Sequence, residues 1–193
     1  MKIVCIGDSL TYGYGVYSGE SWVDLLCQIS DIEIINQGRN GDTTSGLLCR
    51  SGKDILDYKP SHVIIMAGTN DMLMGYPIHN IEDNINLLIS EAQCHNINPI
   101  IAIQPPIISS MARIYWDEFI NYKNVNAMLN LYREWILETT KENSLYYIDF
   151  YKLIKNHLAI QTGHDLYIDG IHPNKNGHKL MFREAYNLIT KFS

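Results

Sequence analysis

Four short polar stretches hold the side chains in this sequence that could do chemistry. Gly7-Asp8-Ser9-Leu10 closes an apolar run that begins at Lys2. Asn36 to Gly46 reads "NQGRNGDTTSG", Ala67 to Asp71 reads "AGTND", and Tyr167 to Asn174 reads "YIDGIHPN". Together they supply a hydroxyl, an imidazole, carboxylates and several groups able to donate hydrogen bonds to an anion. A serine hydroxyl is a weak nucleophile at neutral pH and needs an adjacent base. His172 can be that base for Ser9, and Asp169, three positions earlier, can reach the ring when the backbone turns between them. A carboxylate in that place fixes the imidazole tautomer and stabilises the imidazolium formed when the ring takes a proton. Pro173 biases His172 away from helix, and Asn174 suits the cap of a final helix.

Acyl transfer also needs donors aimed at the oxygen on which charge develops. Gly41 can offer a backbone N–H from a tight turn, Asn70 a side-chain amide, and Ser9 its own N–H. Each has an everyday alternative: Ser9 as a helix cap, Gly41 as a turn glycine, Asn70 as a loop-start hydrogen bonder, and His172 as a solvated loop residue. The G-x-S-x-G nucleophile elbow is absent. Asp8 can cap the helix after Ser9 or brace the turn, and Asp42, Thr43 and Thr44 suit the cap of the following helix.

The elements that must position these groups follow from periodicity. Lys2–Ile6, Ile32–Asn36, His62–Ala67, Pro99–Ile103 and Leu145–Ile148 are short apolar runs that suit strands buried on both faces of a parallel sheet. Ile81, Ile85, Leu88, Ile89 and Ala92 recur at helical spacing, as do Val125, Met128, Leu129, Tyr132, Trp135 and Ile136, and Met181, Ala185, Leu188 and Ile189. Shorter helices are expected over Ser21–Ile29 and Thr44–Leu56. Such alternation implies an α/β layer fold with right-handed crossovers. The carboxyl ends of parallel strands share one edge, so the four polar stretches gather there. Gln104 to Trp116, "QPPIISSMARIYW", breaks the pattern: Pro105-Pro106 stops a strand, and the loop that follows either contacts a ligand or is a surface excursion.

Bulk properties narrow the classes. The 193 residues fit a single domain, 1–193, and 46% hydrophobic with 19% charged content is that of a soluble globular chain. A net charge of −6 with scattered basic residues argues against a nucleic-acid partner. The apolar opening is too short for a signal peptide and no later run reaches membrane-span length, so a cytoplasmic protein without stable membrane insertion is expected. Cys5, Cys27, Cys49 and Cys94 follow no metal or redox spacing and are expected as reduced core residues. His164 and His178 lack ligand spacing and are expected at the surface, with no metal site. Arg39 could steer an anionic substrate or be an ordinary surface arginine, and Tyr12, Tyr14 and Tyr17 could line a cleft near Ser9 or simply pack.

All four blocks in this order resemble the SGNH hydrolases, also called the GDSL lipase/esterase family. The resemblance falls on Ser9 in "GDSL", Gly41 in "GRNGDTT", Asn70 in "GTND" and His172 in "DGIHP", with Asp169 as the triad carboxylate. It implies a flavodoxin-like three-layer α/β/α sandwich around a five-stranded parallel sheet. It also implies hydrolysis of small-molecule carboxylic esters or thioesters without metal or organic cofactor. The opening "GDSLTYGYG" is most similar to compact bacterial members related to acyl thioesterase I/lysophospholipase L1 and to arylesterases. A carbohydrate O-deacetylase would use the same set. A noncatalytic module cradling an anion on the same fold is the alternative of another class. Asp169 and His172 together favour the enzyme, because anion capture needs neither.

Overall fold

Runs of Ile and Val too short to pair with themselves bury both faces only inside a parallel sheet covered on two sides, and that is their arrangement here. The computed structural model describes residues 1–29 and 32–192. Its strands are β1 (Lys2–Gly7), β2 (Glu33–Gly38), β3 (His62–Met66), β4 (Asn98–Ile103) and β5 (Tyr146–Asp149). All pair in parallel, in the order β2-β1-β3-β4-β5. This is the flavodoxin-like order, with the reversal of strand order falling between β1 and β3.

The helices are α1 (Ser9–Tyr12), α2 (Trp22–Ile29), α3 (Thr44–Asp54), α4 (Thr69–Leu73), α5 (Ile78–Cys94), α6 (Ser109–Tyr115), α7 (Tyr122–Glu142), α8 (Phe150–His157), α9 (Gly163–Leu166) and α10 (Lys175–Ile189). The two-residue alternation of the strands divides the core. Val4, Ile6, Val63, Ile65, Ile101 and Ile103 face the layer of α3, α5 and α7. Ile3, Cys5, Ile64, Met66, Ile100 and Ala102 face α2, α8 and α10. The apolar stripes named from spacing on α5, α7 and α10 are the faces that meet the sheet.

Several expectations need correction. The outer strands β2 and β5 are half-exposed rather than buried on both faces, because each has a neighbour on one side only. The helix expected over Thr44–Leu56 stops at Asp54, and Leu56–Tyr58 forms a separate 3₁₀ turn. The stretch Gln104–Trp116 is not all loop: after the Pro-Pro pair it forms α6, anchored by buried Met111 and Ala112. Of the four cysteines, all unpaired, only Cys5 is in the core, while Cys27, Cys49 and Cys94 are exposed. Cys27, Cys49 and Cys94 lie on helices, whose outward faces an apolar neighbourhood in sequence does not reveal.

His178 is likewise buried, not superficial. Its Nδ1 accepts the Trp22 amide at 3.2 Å, while the Trp22 indole N–H donates to the Leu10 carbonyl at 2.9 Å. Burial pushes its pKa down to about 4, with the charge of Asp24 opposing and that of His172 adding to the shift. The unfolded chain therefore takes up this proton first as the pH falls. Burial of the neutral ring adds stability that is complete above the ordinary value of 6.5 and lost as the pH falls through about 4. The loss is about 3 kcal/mol across that window. Thermal unfolding of His178→Gln against wild type at stepped pH is expected to show a flatter acid limb in the variant.

Candidate active site

A strand ending in Gly-Asp-Ser presents its serine only if the chain turns immediately, and the cap at Asp8 makes it do so. Asp8 Oδ1 accepts the Leu10 amide at 2.9 Å, starting α1, and Gly13 ends that helix after one turn. Asn36 on β2 donates to the Thr11 carbonyl at 3.1 Å, tying this turn to its neighbouring strand. Ser9 thus opens α1 at the carboxyl edge of the sheet. Its backbone N–H belongs to the first turn, where a helix has no acceptor of its own. Burial raises the Asp8 carboxyl to about 7, against the Leu10 hydrogen bond and helped by the charges of Asp71 and Asp42.

The loop from Tyr167 to Pro173 delivers the other two groups. Asp169 Oδ1 accepts the amides of Ile171 and His172, both at 2.8 Å, which folds the loop back on itself. Asp169 Oδ2 is then 2.7 Å from His172 Nδ1. Gly170, at φ +93°, turns its carbonyl to the Ile108 amide at 2.7 Å. The Tyr167 hydroxyl donates to the Pro106 carbonyl at 2.5 Å. These contacts dock the loop on the segment after β4. His172 Nε2 lies 3.0 Å from Ser9 Oγ, across 163 residues of sequence.

Burial by itself would raise the Asp169 carboxyl. The hydrogen bonds from the His172 ring and amide, the imidazole's charge and the Ile171 amide together outweigh it and hold the pKa below the ordinary value. The carboxylate is therefore an acceptor, so Nδ1 carries the ring proton and Nε2 is left to accept from Ser9. The ring is flanked by Tyr14 at 4.5 Å and Trp116 at 5.2 Å between centroids.

Gly41 and Asn70 line the same small cleft as Ser9 and His172, a space of about 70 Å³ lined also by Tyr14, Leu73, Trp116 and Ile171. Gly41 has φ +76°. A Cβ there would meet nothing within 4 Å, so backbone conformation rather than space calls for glycine. Asn70 Nδ2 donates one hydrogen to the Asp42 carbonyl at 2.8 Å; a primary amide has a second. Helix α4, which carries Asn70, is pinned through Asp71, which accepts the Thr44 amide at 3.0 Å and its hydroxyl at 2.7 Å. All five residues named from sequence therefore meet at one edge of the sheet.

Their neighbours sort themselves. Thr43 caps α3 by accepting the Gly46 amide at 3.2 Å. Arg39 pairs with Asp54 at 2.5 Å, and Tyr12 and Tyr17 line an adjoining pocket of about 320 Å³ rather than this cleft. Sequence reasoning passed over Arg50, whereas Asp71 and Trp116 lie in stretches it singled out, "AGTND" and Gln104–Trp116, with Trp116 placing the latter beside the cleft. The signal for Arg50 was available: it follows Leu47 by three positions, on the face of α3 that packs inward. Among the described residues no cluster of three or more His, Cys, Asp or Glu could hold a metal ion, and no helix is long and apolar enough to cross a membrane.

Sheet order and loop placement make this chain a flavodoxin-like α/β sandwich with a Ser-His-Asp contact chain at the carboxyl edge of its sheet. Residues 5–180 match the GDSL-like Lipase/Acylhydrolase family, and the chain belongs to it. An arylesterase of Vibrio mimicus is 31% identical over 123 residues, which is 61% of this chain and 61% of that protein. Thioesterase 1/protease 1/lysophospholipase L1 of Escherichia coli K12 is 25% identical over 119 residues, 61% of this chain and 57% of that one. The match thus spans less than two thirds of either relative. A solved G-D-S-L-family protein from Desulfitobacterium hafniense DCB-2 superposes with a TM-score of 0.78 at 28% identity, covering 97% of this chain and 98% of that one.

The Gly41 geometry makes a clean test of backbone strain. Gly41→Ala forces an L-residue into the left-handed region without a steric clash, a cost of about 1–2 kcal/mol. Its thermal midpoint is expected about 2–8 °C below wild type.

Proposed function

We propose that this protein hydrolyses carboxylic esters or thioesters by a serine mechanism with an acyl-enzyme intermediate. The observation that carries the reading is the unbroken contact chain from Ser9 Oγ to His172 Nε2, at 3.0 Å, and from His172 Nδ1 to Asp169 Oδ2, at 2.7 Å. An anion cradle would need no such proton path, which disfavours the noncatalytic alternative.

The steps follow from the geometry. Ser9 Oγ attacks the substrate carbonyl carbon while its proton passes to His172 Nε2. The imidazolium is stabilised by the Asp169 carboxylate, which stays ionised. Negative charge on the former carbonyl oxygen is met by the Ser9 amide, the Gly41 amide and the free hydrogen of the Asn70 side chain. As the tetrahedral adduct collapses, the bond to the alcohol or thiol breaks and Nε2 returns the proton to that leaving group. Water then attacks the acyl-enzyme, giving one proton to Nε2. Collapse releases the acid and restores the Ser9 hydroxyl.

The limited space beside Ser9, about 70 Å³, also suits removal of small acyl groups, so O-deacetylation of a carbohydrate remains the second reading.

A fluorophosphonate probe is expected to label Ser9, with labelling abolished in Ser9→Ala and severely weakened in His172→Ala. A panel of p-nitrophenyl esters of rising chain length, run beside acetylated sugars and acyl-CoA, reads the substrate class; no turnover of any ester or thioester would sink the reading. Asn70→Ala is expected to lower kcat by about 10²–10³-fold with little change in KM, the pattern of a group that binds the transition state. An unchanged kcat removes Asn70 from that role.

A further inference from the structure

Arg50 turns from α3 toward the sheet and is only 9% exposed. Its Nε donates to Asp42 Oδ2 at 2.6 Å, and its Nη2 to the Gly7 carbonyl at 2.9 Å. Nη1 donates to the Gln37 carbonyl at 2.9 Å and to Asp54 Oδ2 at 2.8 Å. These acceptors lie on the segments that deliver the site. Gly7 ends β1 two residues before Ser9, and Gln37 is the penultimate residue of β2. Asp42 follows Gly41, and its own carbonyl holds the Asn70 amide at 2.8 Å. The Gly7 carbonyl is gripped a second time, by the Arg39 amide at 3.0 Å.

Gly7 and Gly38 are the last paired positions of β1 and β2. Beyond them the sheet ladder no longer sets the spacing between the two chains, yet the three oxyanion donors all lie past that point or on α4. Donors act on a developing charge only when each lies at about 2.7–3.1 Å from the same oxygen. A planar guanidinium, with donors at fixed angles, can set distances between several acceptors at once; an ammonium supplies charge without that fork.

We propose that Arg50 is a positioning residue for the oxyanion site. Its guanidinium holds the Ser9 amide, the Gly41 amide and the Asn70 side chain at the mutual spacing that lets all three reach one oxygen. Arg50 touches no reacting atom and acts through Gly7, Asp42 and the Asp42–Asn70 hydrogen bond. The inference rests on the hydrolase reading above.

Arg50→Lys keeps the charge and loses the fork. Its kcat is expected to fall about 10–100-fold, as for an ångström-scale displacement of catalytic groups, with KM within about threefold of wild type. Exhaustive fluorophosphonate titration should still count one reactive serine per folded chain, while the rate of labelling falls in proportion to kcat. In Arg50→Ala, guanidinium at non-denaturing concentration should restore part of the lost kcat, and an equal concentration of ammonium should not. If Arg50→Lys does not fold, Asp42→Asn carries the same expectation, since it weakens the clamp from the other side and keeps the carbonyl that holds Asn70. Turnover per titrated site equal to wild type would overturn the proposal and leave Arg50 a stability role alone. A wild type that is neither labelled nor active would instead remove the hydrolase reading, and this proposal with it.

Discussion

An imidazole accepts a proton only on the nitrogen that does not already carry one, so the chemistry at this sheet edge hangs on which nitrogen of His172 is bare. The Asp169 carboxylate decides it. Oδ2 accepts a hydrogen bond from Nδ1–H, and Oδ1 accepts two amides of the same loop, so one side chain orients the ring and shapes the backbone that carries it. Without those hydrogen bonds, burial would favour the neutral acid, a donor as well as an acceptor, and Nε2 would lose its assignment. The loop can do this only because it is itself anchored. The Gly170 carbonyl and the Tyr167 hydroxyl fasten it to the segment after β4.

The rest of the molecule serves to bring Ser9 to that ring. Two apolar layers hold the sheet from opposite sides, and the parallel pairing aligns the strand ends that feed the site. Past those ends, polar cross-links take over from the ladder. Asn36 holds α1, Asp71 holds the start of α3 to α4, and Arg50 joins β1, β2 and the Gly41 turn. Burying an arginine between two aspartates carries a desolvation cost. Here the cost is offset by hydrogen bonds on four of the five guanidinium donors, and the return is geometric.

Long periodic segments were legible without coordinates. The five strands were placed within about two residues at either end, and the stripes on α5, α7 and α10 were identified by the residues that meet the core. What escaped was short or two-sided. Helices of four to seven residues, such as α4, α6 and α9, contain too few turns for a period to register. The exposed cysteines and buried His178 were misjudged because local composition does not say which face of a helix a residue occupies.

For the site, residue types offered Ser9, Gly41, Asn70, Asp169 and His172 as candidates beside ordinary cap and turn roles, and the four blocks in order singled them out through their resemblance to the SGNH hydrolases. The turn that lets Asp169 reach His172 was also foreshadowed by their three-residue spacing, because that contact is local. Distances across the chain were decided only by the tertiary structure: the 3.0 Å between Ser9 and His172, the aromatic flanks of the ring and the four-way grip of Arg50. Each of these depends on how separate strands and helices pack against one another, and side chains brought together in that way share no spacing along the sequence from which their contact could be read.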